Sequence, residues 1–255
     1  DLVDAIRAAG AEVEVLDQRP DAPDMVYAMN LGLVVNTAER ERVTLSHMRY
    51  AERRMETLTA APWFEQAGFA TSYVGRDGVG AHFEAGDAFA WRDSLVVGYG
   101  PRTEHLGLKH LAVGLDVRVR GLRIDHPGMY HLDLAFCPLD DEHALVCPDA
   151  FAPASAASLL AAIPKPVLLS EEEAVASRCA NSVVIGRTIV MPECPRRVRT
   201  WLDALGFDVV VVDVSEFHLG GGSIRCLTNP LDITLGRDLD PVAGGSVLSV
   251  GADAA

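Results

Sequence analysis

A chain of 255 residues with 49% hydrophobic content is long enough to bury a large core, and it reads as one globular domain over 1–255. Its net charge of −14, with 22 basic residues that form no dense cluster, argues against a nucleic-acid or acidic-membrane partner and favours a small cationic one. Five cysteines without a C-x-x-C pair argue against a disulfide scaffold and for a reducing, cytoplasmic compartment, and no apolar run reaches the length of a membrane span.

In chain order, Leu2, Ile6 and Ala9 before Gly10 read as the end of a helix, followed by a short strand from Glu12 to Leu16. The first residue already lies in a helical pattern, so the first repeat is expected to lack its N-terminal part. A β-rich stretch from Asp24 to Val35 breaks at Asn30-Leu31-Gly32. A strand from Val43 to Leu45 then leads into a helix from Arg49 to Gln66, with Met55 and Leu58 on one face, and a strand from Ala70 to Val74.

The cycle restarts with strands His82 to Ala90 and Ser94 to Tyr99, a helix capped by Thr103 and ending at Gly114, and a strand Asp116 to Leu122. It continues with strands Leu132 to Pro138 and Ala144 to Cys147, a helix opened by Ser155 and running to Ile163, and a strand Pro166 to Leu169. Strands Ser182 to Ile185 and Thr188 to Met191 precede a helix presenting Val198, Trp201, Leu202 and Leu205, capped by Gly206, and a strand Phe207 to Val214. This strand, strand, helix, strand unit recurs about every fifty residues, which predicts repeats around an axis instead of an open layered sheet. Five units would close a ring, with a last strand from Cys226 to Leu231 completing the first, and a loosely held tail from Gly236.

Three stretches carry candidate chemistry. Gly220-Gly221-Gly222-Ser223-Ile224-Arg225-Cys226 delivers one thiol beyond a loop without Cβ atoms, and it lacks the Gly-Lys-Ser/Thr of a phosphate loop. Taken alone, it reads first as an inert cysteine beside a tight turn. Glu84-Ala85-Gly86-Asp87 sets two carboxylates around a small-residue break, which by itself is a turn with solvated acids. In Tyr130-His131-Leu132-Asp133 a strand would send His131 and Asp133 to one side. These groups occupy corresponding places in different repeats, so a ring would bring a nucleophile, a base and several acids together at its axis.

With Pro101-Arg102-Thr103, these motifs resemble the guanidine-modifying superfamily of pentein-fold enzymes. That superfamily includes arginine deiminase, dimethylarginine dimethylaminohydrolase, succinylarginine dihydrolase, arginine dihydrolases and the amidinotransferases. The family patterns E-G-G-D, H-x-D and G-G-G-x-x-x-C fall in the family's order through the whole chain, with Ala85 where glycine is usual.

The resemblance implies a five-bladed α/β propeller of ββαβ units and a cysteine hydrolase of the guanidino group of arginine or a methylated arginine. It implies Cys226 as nucleophile through a covalent thiouronium, His131 as acid and base, and Glu84 as the carboxylate that orients His131. Asp87 and Asp133 become guanidinium or supporting contacts, and Arg102 a grip on the substrate α-carboxylate. No metal or organic cofactor is implied.

The first reading is a dimethylargininase-like enzyme giving citrulline. Asn30 stands where deiminases and methylarginine hydrolases carry aspartate, and there it resembles the dihydrolases. An arginine dihydrolase giving ornithine, carbon dioxide and ammonia is therefore the alternative, ahead of an amidinotransferase and of a pentein-fold binding protein without turnover. Cys137, Cys147, Cys179 and Cys194 read as structural, and the oligomeric state, a homo-oligomer included, stays open.

Overall fold

The computed structural model describes residues 1–36, 41–74 and 80–235. After helix α1 (Leu2–Ala8), four units follow one plan. The first has strands β1 (Gly32–Val34) and β2 (Arg42–Leu45), helix α2 (Arg54–Gln66) and strand β3 (Ala70–Tyr73). The second has β4 (Ala88–Trp91), β5 (Ser94–Tyr99), α3 (His105–Leu115) and β6 (Arg118–Arg123). The third has β7 (Phe136–Pro138), β8 (His143–Val146), α4 (Pro153–Ala162) and β9 (Lys165–Leu168). A short helix, α5 (Glu171–Val175), leads to the fourth, with β10 (Val183–Ile185), β11 (Thr188–Met191), α6 (Arg196–Ala204) and β12 (Asp208–Val211). Helix α7 (Ser215–Leu219) follows.

Each unit is its own three-stranded sheet. The first pair is antiparallel, as a hairpin allows, and the third strand is parallel to the second because a helix carries the chain back. The middle strand is the buried one. In β5, Leu95, Val96 and Val97 are all fully buried, with Phe89 opposite Val96 and Val119 beside Leu95. The largest apolar cluster joins the second, third and fourth units through Phe89, Leu122, Phe136, Leu145, Leu159 and Ile189.

Several expected elements are corrected. Glu12 to Leu16 is not a strand. The α2 face that packs inward is Ala60 and Phe64, while Met55 (43% exposed) and Leu58 (57%) lie outside; Trp201 on α6 is likewise 52% exposed. Thr103 is not the cap of α3, whose preceding residue is Glu104; its hydroxyl accepts the Glu84 N–H at 3.2 Å. Cys226 to Leu231 forms no strand: a turn carries Cys226, whose carbonyl accepts the Met29 N–H at 3.0 Å. The tail from Gly236 lies outside the described residues.

The two apparent long strands His82 to Ala90 and Leu132 to Pro138 each open with a 3-10 turn, Ala85–Asp87 and Leu132–Leu134, before β4 and β7. A third such turn, Ala28–Leu31, precedes β1. These turns sit against one another at the same end of successive sheets. A single 3-10 turn moves side chains off the two-fold alternation of a strand, so the polar residues gather inside while the following strand keeps its apolar face.

Candidate active site

The turns deliver Asn30, Glu84, Asp87, His131 and Asp133 to one place, and Cys226 joins them from the C-terminal side; all six are buried. Of these, Asn30, His131 and Cys226 line a cavity of about 350 Å³, together with Tyr27, Tyr130 and Arg102. Its wider lining adds Asp24, Tyr50, Glu52 and Arg53.

His131 Nε2 donates to Glu84 Oε2 at 2.8 Å, so Nδ1 is the nitrogen left for a ligand. Glu84 also accepts the Arg49 N–H at 2.8 Å and Arg102 Nη1 at 3.0 Å. Burial would raise its carboxyl, but His131 and Arg102 outweigh it and hold Glu84 down at about 2. Burial opposes the His131 charge as well, yet Asp87 and Glu84 together push its pKa up. The carboxylates beside it thus favour the charged form of the His131 imidazole.

Asp87 Oδ1 accepts the Leu132 N–H at 3.0 Å, fixing the His131 turn from behind. Burial, opposed by the His131 charge, pushes Asp87 up to about 7. A carboxyl raised on folding binds its proton more tightly in the folded chain. Its contribution is full below the ordinary value of 3.8 and is lost as pH rises toward about 7. Asp87→Asn removes that slope, so urea midpoints should fall less across this interval in the variant than in the wild type; parallel curves would contradict the assignment.

Gly86 lies where these groups converge. A Cβ there would meet Asn30 Oδ1 at 2.9 Å, Asp133 Oδ2 at 3.2 Å and His131 Nδ1 at 3.2 Å. Its N–H donates to Asn30 Oδ1 at 3.0 Å, so the Asn30 amide offers a ligand its NH₂ end.

Cys226 Sγ lies 3.4 Å from Asp133 Oδ2 and accepts from Asn181 Nδ2 at 3.2 Å. Asn181 is fully buried; its Oδ1 accepts the Cys226 N–H at 3.2 Å, and its Nδ2 also donates to the Asp133 carbonyl at 3.1 Å. Burial, then the Asp133 charge, pushes the Cys226 thiol well up. A cation placed beside Sγ would oppose both effects and favour the thiolate.

The triple glycine serves packing against aromatic rings. Cβ atoms on Gly220 and Gly222 would come within 2.1 and 2.2 Å of Tyr27, while Gly221 has φ +95° and its carbonyl accepts from Tyr130 and Arg178. Gly222→Ala should therefore lower stability by about 1–3 kcal/mol, read as a lower urea midpoint; an unchanged midpoint would mean that Tyr27 moves freely.

Arg102 sits between the Tyr50 and Tyr130 rings, its guanidinium carbon 4.7 and 4.5 Å from their centroids, with one nitrogen on Glu84. The sequence reading missed Asn181, Tyr27, Tyr130 and Arg53. Asn181 had a signal: it precedes β10 as Asn30, Glu84 and His131 precede the first strands of their sheets. The other cysteines lie elsewhere, and all five are free. No helix among the described residues is long and apolar enough to cross a membrane.

The model of the family described as "N,N dimethylarginine dimethylhydrolase, eukaryotic" matches residues 1–233. The bifunctional arginine dihydrolase/ornithine cyclodeaminase ArgZ of Synechocystis is 35% identical over 223 residues, 86% of this chain and 30% of that longer protein. The N(G),N(G)-dimethylarginine dimethylaminohydrolase of Mycobacterium tuberculosis is 30% identical over 222 residues, 86% of this chain and 70% of the relative. The crystal structure of the product-bound N-terminal domain of ArgZ, a cyanobacterial arginine dihydrolase, superposes with a TM-score of 0.85 at 32% identity, covering 92% of this chain and 85% of that one. A cysteine-to-serine variant of that domain holds substrate, and an asparagine-to-serine variant is covalently bonded to a reaction intermediate. With the family model matching nearly the whole described chain, this protein belongs to the dimethylarginine dimethylaminohydrolase family of the pentein, or amidinotransferase, superfamily, amidine hydrolases that act on arginine derivatives.

Proposed function

We propose that the chain is an arginine dihydrolase, converting free arginine and two waters into ornithine, carbon dioxide and two ammonia. The observation that carries this reading is Asn30: a neutral amide, with its oxygen held by Gly86, on the floor beside Cys226 and His131. In this reading the Cys226 turn takes the place of a fifth unit and closes the propeller.

The guanidinium enters over Asn30, its positive charge favours the Cys226 thiolate that burial and Asp133 oppose, and the thiol proton is released to solvent. Sγ attacks the central carbon, His131 Nδ1–H protonates one NH₂, and ammonia leaves a thiouronium on Cys226. His131, now neutral, takes a proton from water, the hydroxide adds to the carbon, and the thiolate departs from a ureido group. An aspartate on the floor would repel the new carbonyl oxygen; the Asn30 NH₂ donates to it and keeps the ureido group in place. A second attack expels the second ammonia and leaves a thiocarbamate. Its hydrolysis gives a carbamic acid that breaks into ornithine and carbon dioxide. Arg102, Arg53 and Asp24 also line the cavity and are the charged groups that would meet the α-amino acid end of the substrate.

The relative from M. tuberculosis and the family description favour a second reading, release of dimethylamine from a methylated arginine to give citrulline. Incubation with arginine and, separately, asymmetric dimethylarginine, with mass-spectrometric product analysis, separates the two. Ornithine with two ammonia per arginine supports the dihydrolase; citrulline as end product, or turnover of the methylated substrate alone, overturns it.

A further inference from the structure

Asn181 stands just ahead of the fourth sheet's first strand, as Asn30, Glu84 and His131 do in theirs, and its side chain makes three hydrogen bonds, all to the nucleophile or its neighbour. Its oxygen takes the backbone N–H of Cys226, which fixes the amide's orientation and turns its NH₂ onto Sγ at 3.2 Å. The backbone N–H of Arg225 binds the Asn181 carbonyl at 3.2 Å, so residues 225 and 226 are both tied to this one asparagine. No other side chain donates a hydrogen bond to Sγ among the described residues, while Asp133 Oδ2 faces it from 3.4 Å. A thiolate formed there would be fully enclosed, and an enclosed anion needs a donor.

We propose that Asn181 is a further catalytic residue, whose Nδ2–H stabilises the Cys226 thiolate and aims Sγ from the side opposite the substrate cation. This rests on the reading of Cys226 as the nucleophile. The neutral amide suits a thiolate that must form with substrate and depart again with each hydrolysis. It lowers the cost of the anion without a permanent counter-ion that would compete with the guanidinium for the same sulfur.

The test compares Asn181→Ala with the isosteric Asn181→Asp, each checked for a cooperative melt. Asn181→Asp keeps the acceptor for the Cys226 N–H but sets a carboxylate oxygen against Sγ. The readouts are kcat and KM on arginine and the pH profile of inactivation by 2-chloroacetamidine, a small cationic thiol reagent that needs no turnover. Asn181→Ala should lower kcat by about 10- to 100-fold, the effect of one hydrogen bond to a charged group, with KM changed by less than about threefold. The inactivation profile should shift upward by about one pH unit, and further in Asn181→Asp. A purely structural asparagine gives the reverse order: the isosteric aspartate tolerated and alanine worse. That order, or profiles that coincide with wild type, overturns the proposal, as does retention of wild-type kcat in Asn181→Ala. If Asn181→Ala fails to melt cooperatively, Asn181→Asp alone decides through its profile. If wild-type protein fails to turn over arginine yet the profiles shift as stated, the substrate reading fails and Asn181 keeps its role.

Discussion

Cys226→Ser should abolish turnover of arginine, with a loss of about 10⁴-fold or more in kcat, while the affinity for arginine changes by less than about threefold. A serine hydroxyl fits the space of the thiol at the cavity floor, keeps the Asn181 contact and leaves the aromatic clamp on the glycine loop untouched. It cannot ionise beside a buried carboxylate, even with a guanidinium over it. Calorimetry with arginine on the variant and initial rates on both proteins check the two halves. A residual rate within about 100-fold of wild type would remove Cys226 from the chemistry.

Asn30→Asp should change which product appears. The substitution is isosteric, and the carboxylate can still accept the Gly86 N–H. The first half of the reaction meets a cationic guanidinium, which an aspartate holds at least as well. The second half meets a neutral ureido group, whose oxygen loses a donor and faces a negative charge. Ornithine formation should drop by about 10- to 100-fold or more, with citrulline accumulating as the released product. Time courses of citrulline and ornithine measure this directly, and an unchanged ornithine-to-citrulline ratio would contradict the role given to Asn30.

Much of this site was legible in the residues because its motifs are local. Glu84 with Asp87, His131 with Asp133, and the glycine run before Cys226 each concentrate polar or small residues where a buried strand would not want them. The repeat of strand pairs around each helix was legible from hydrophobic patterning, since each middle strand, such as Leu95 to Val97, is buried on both faces. The 3-10 turns were not, because three residues of turn ahead of an apolar strand read as its continuation. The inference that His131 and Asp133 share a strand face reached the right neighbourhood by the wrong geometry.

Tertiary contacts account for the other differences. Thr103 looks like a helix cap from local sequence, but a bond to Glu84 across 19 positions claims its hydroxyl. Met55 and Leu58 look like a packing face, yet Glu56, held by Arg53, is the residue that turns inward at that level of α2. Asn181, in Cys179-Ala180-Asn181-Ser182, carries no motif at all; only its place in the repeat distinguishes it.

The claim on which everything else depends is that a covalent bond forms between Cys226 and the guanidino carbon. Rapid mixing of wild-type protein with arginine carrying ¹³C at that carbon, acid quench on the millisecond scale and intact-protein mass spectrometry test it. The account expects a transient adduct that retains the label, maps to the peptide containing Cys226, and forms and decays fast enough to carry the steady-state rate. Turnover without an adduct at any quench time, or an adduct on another residue, would contradict it.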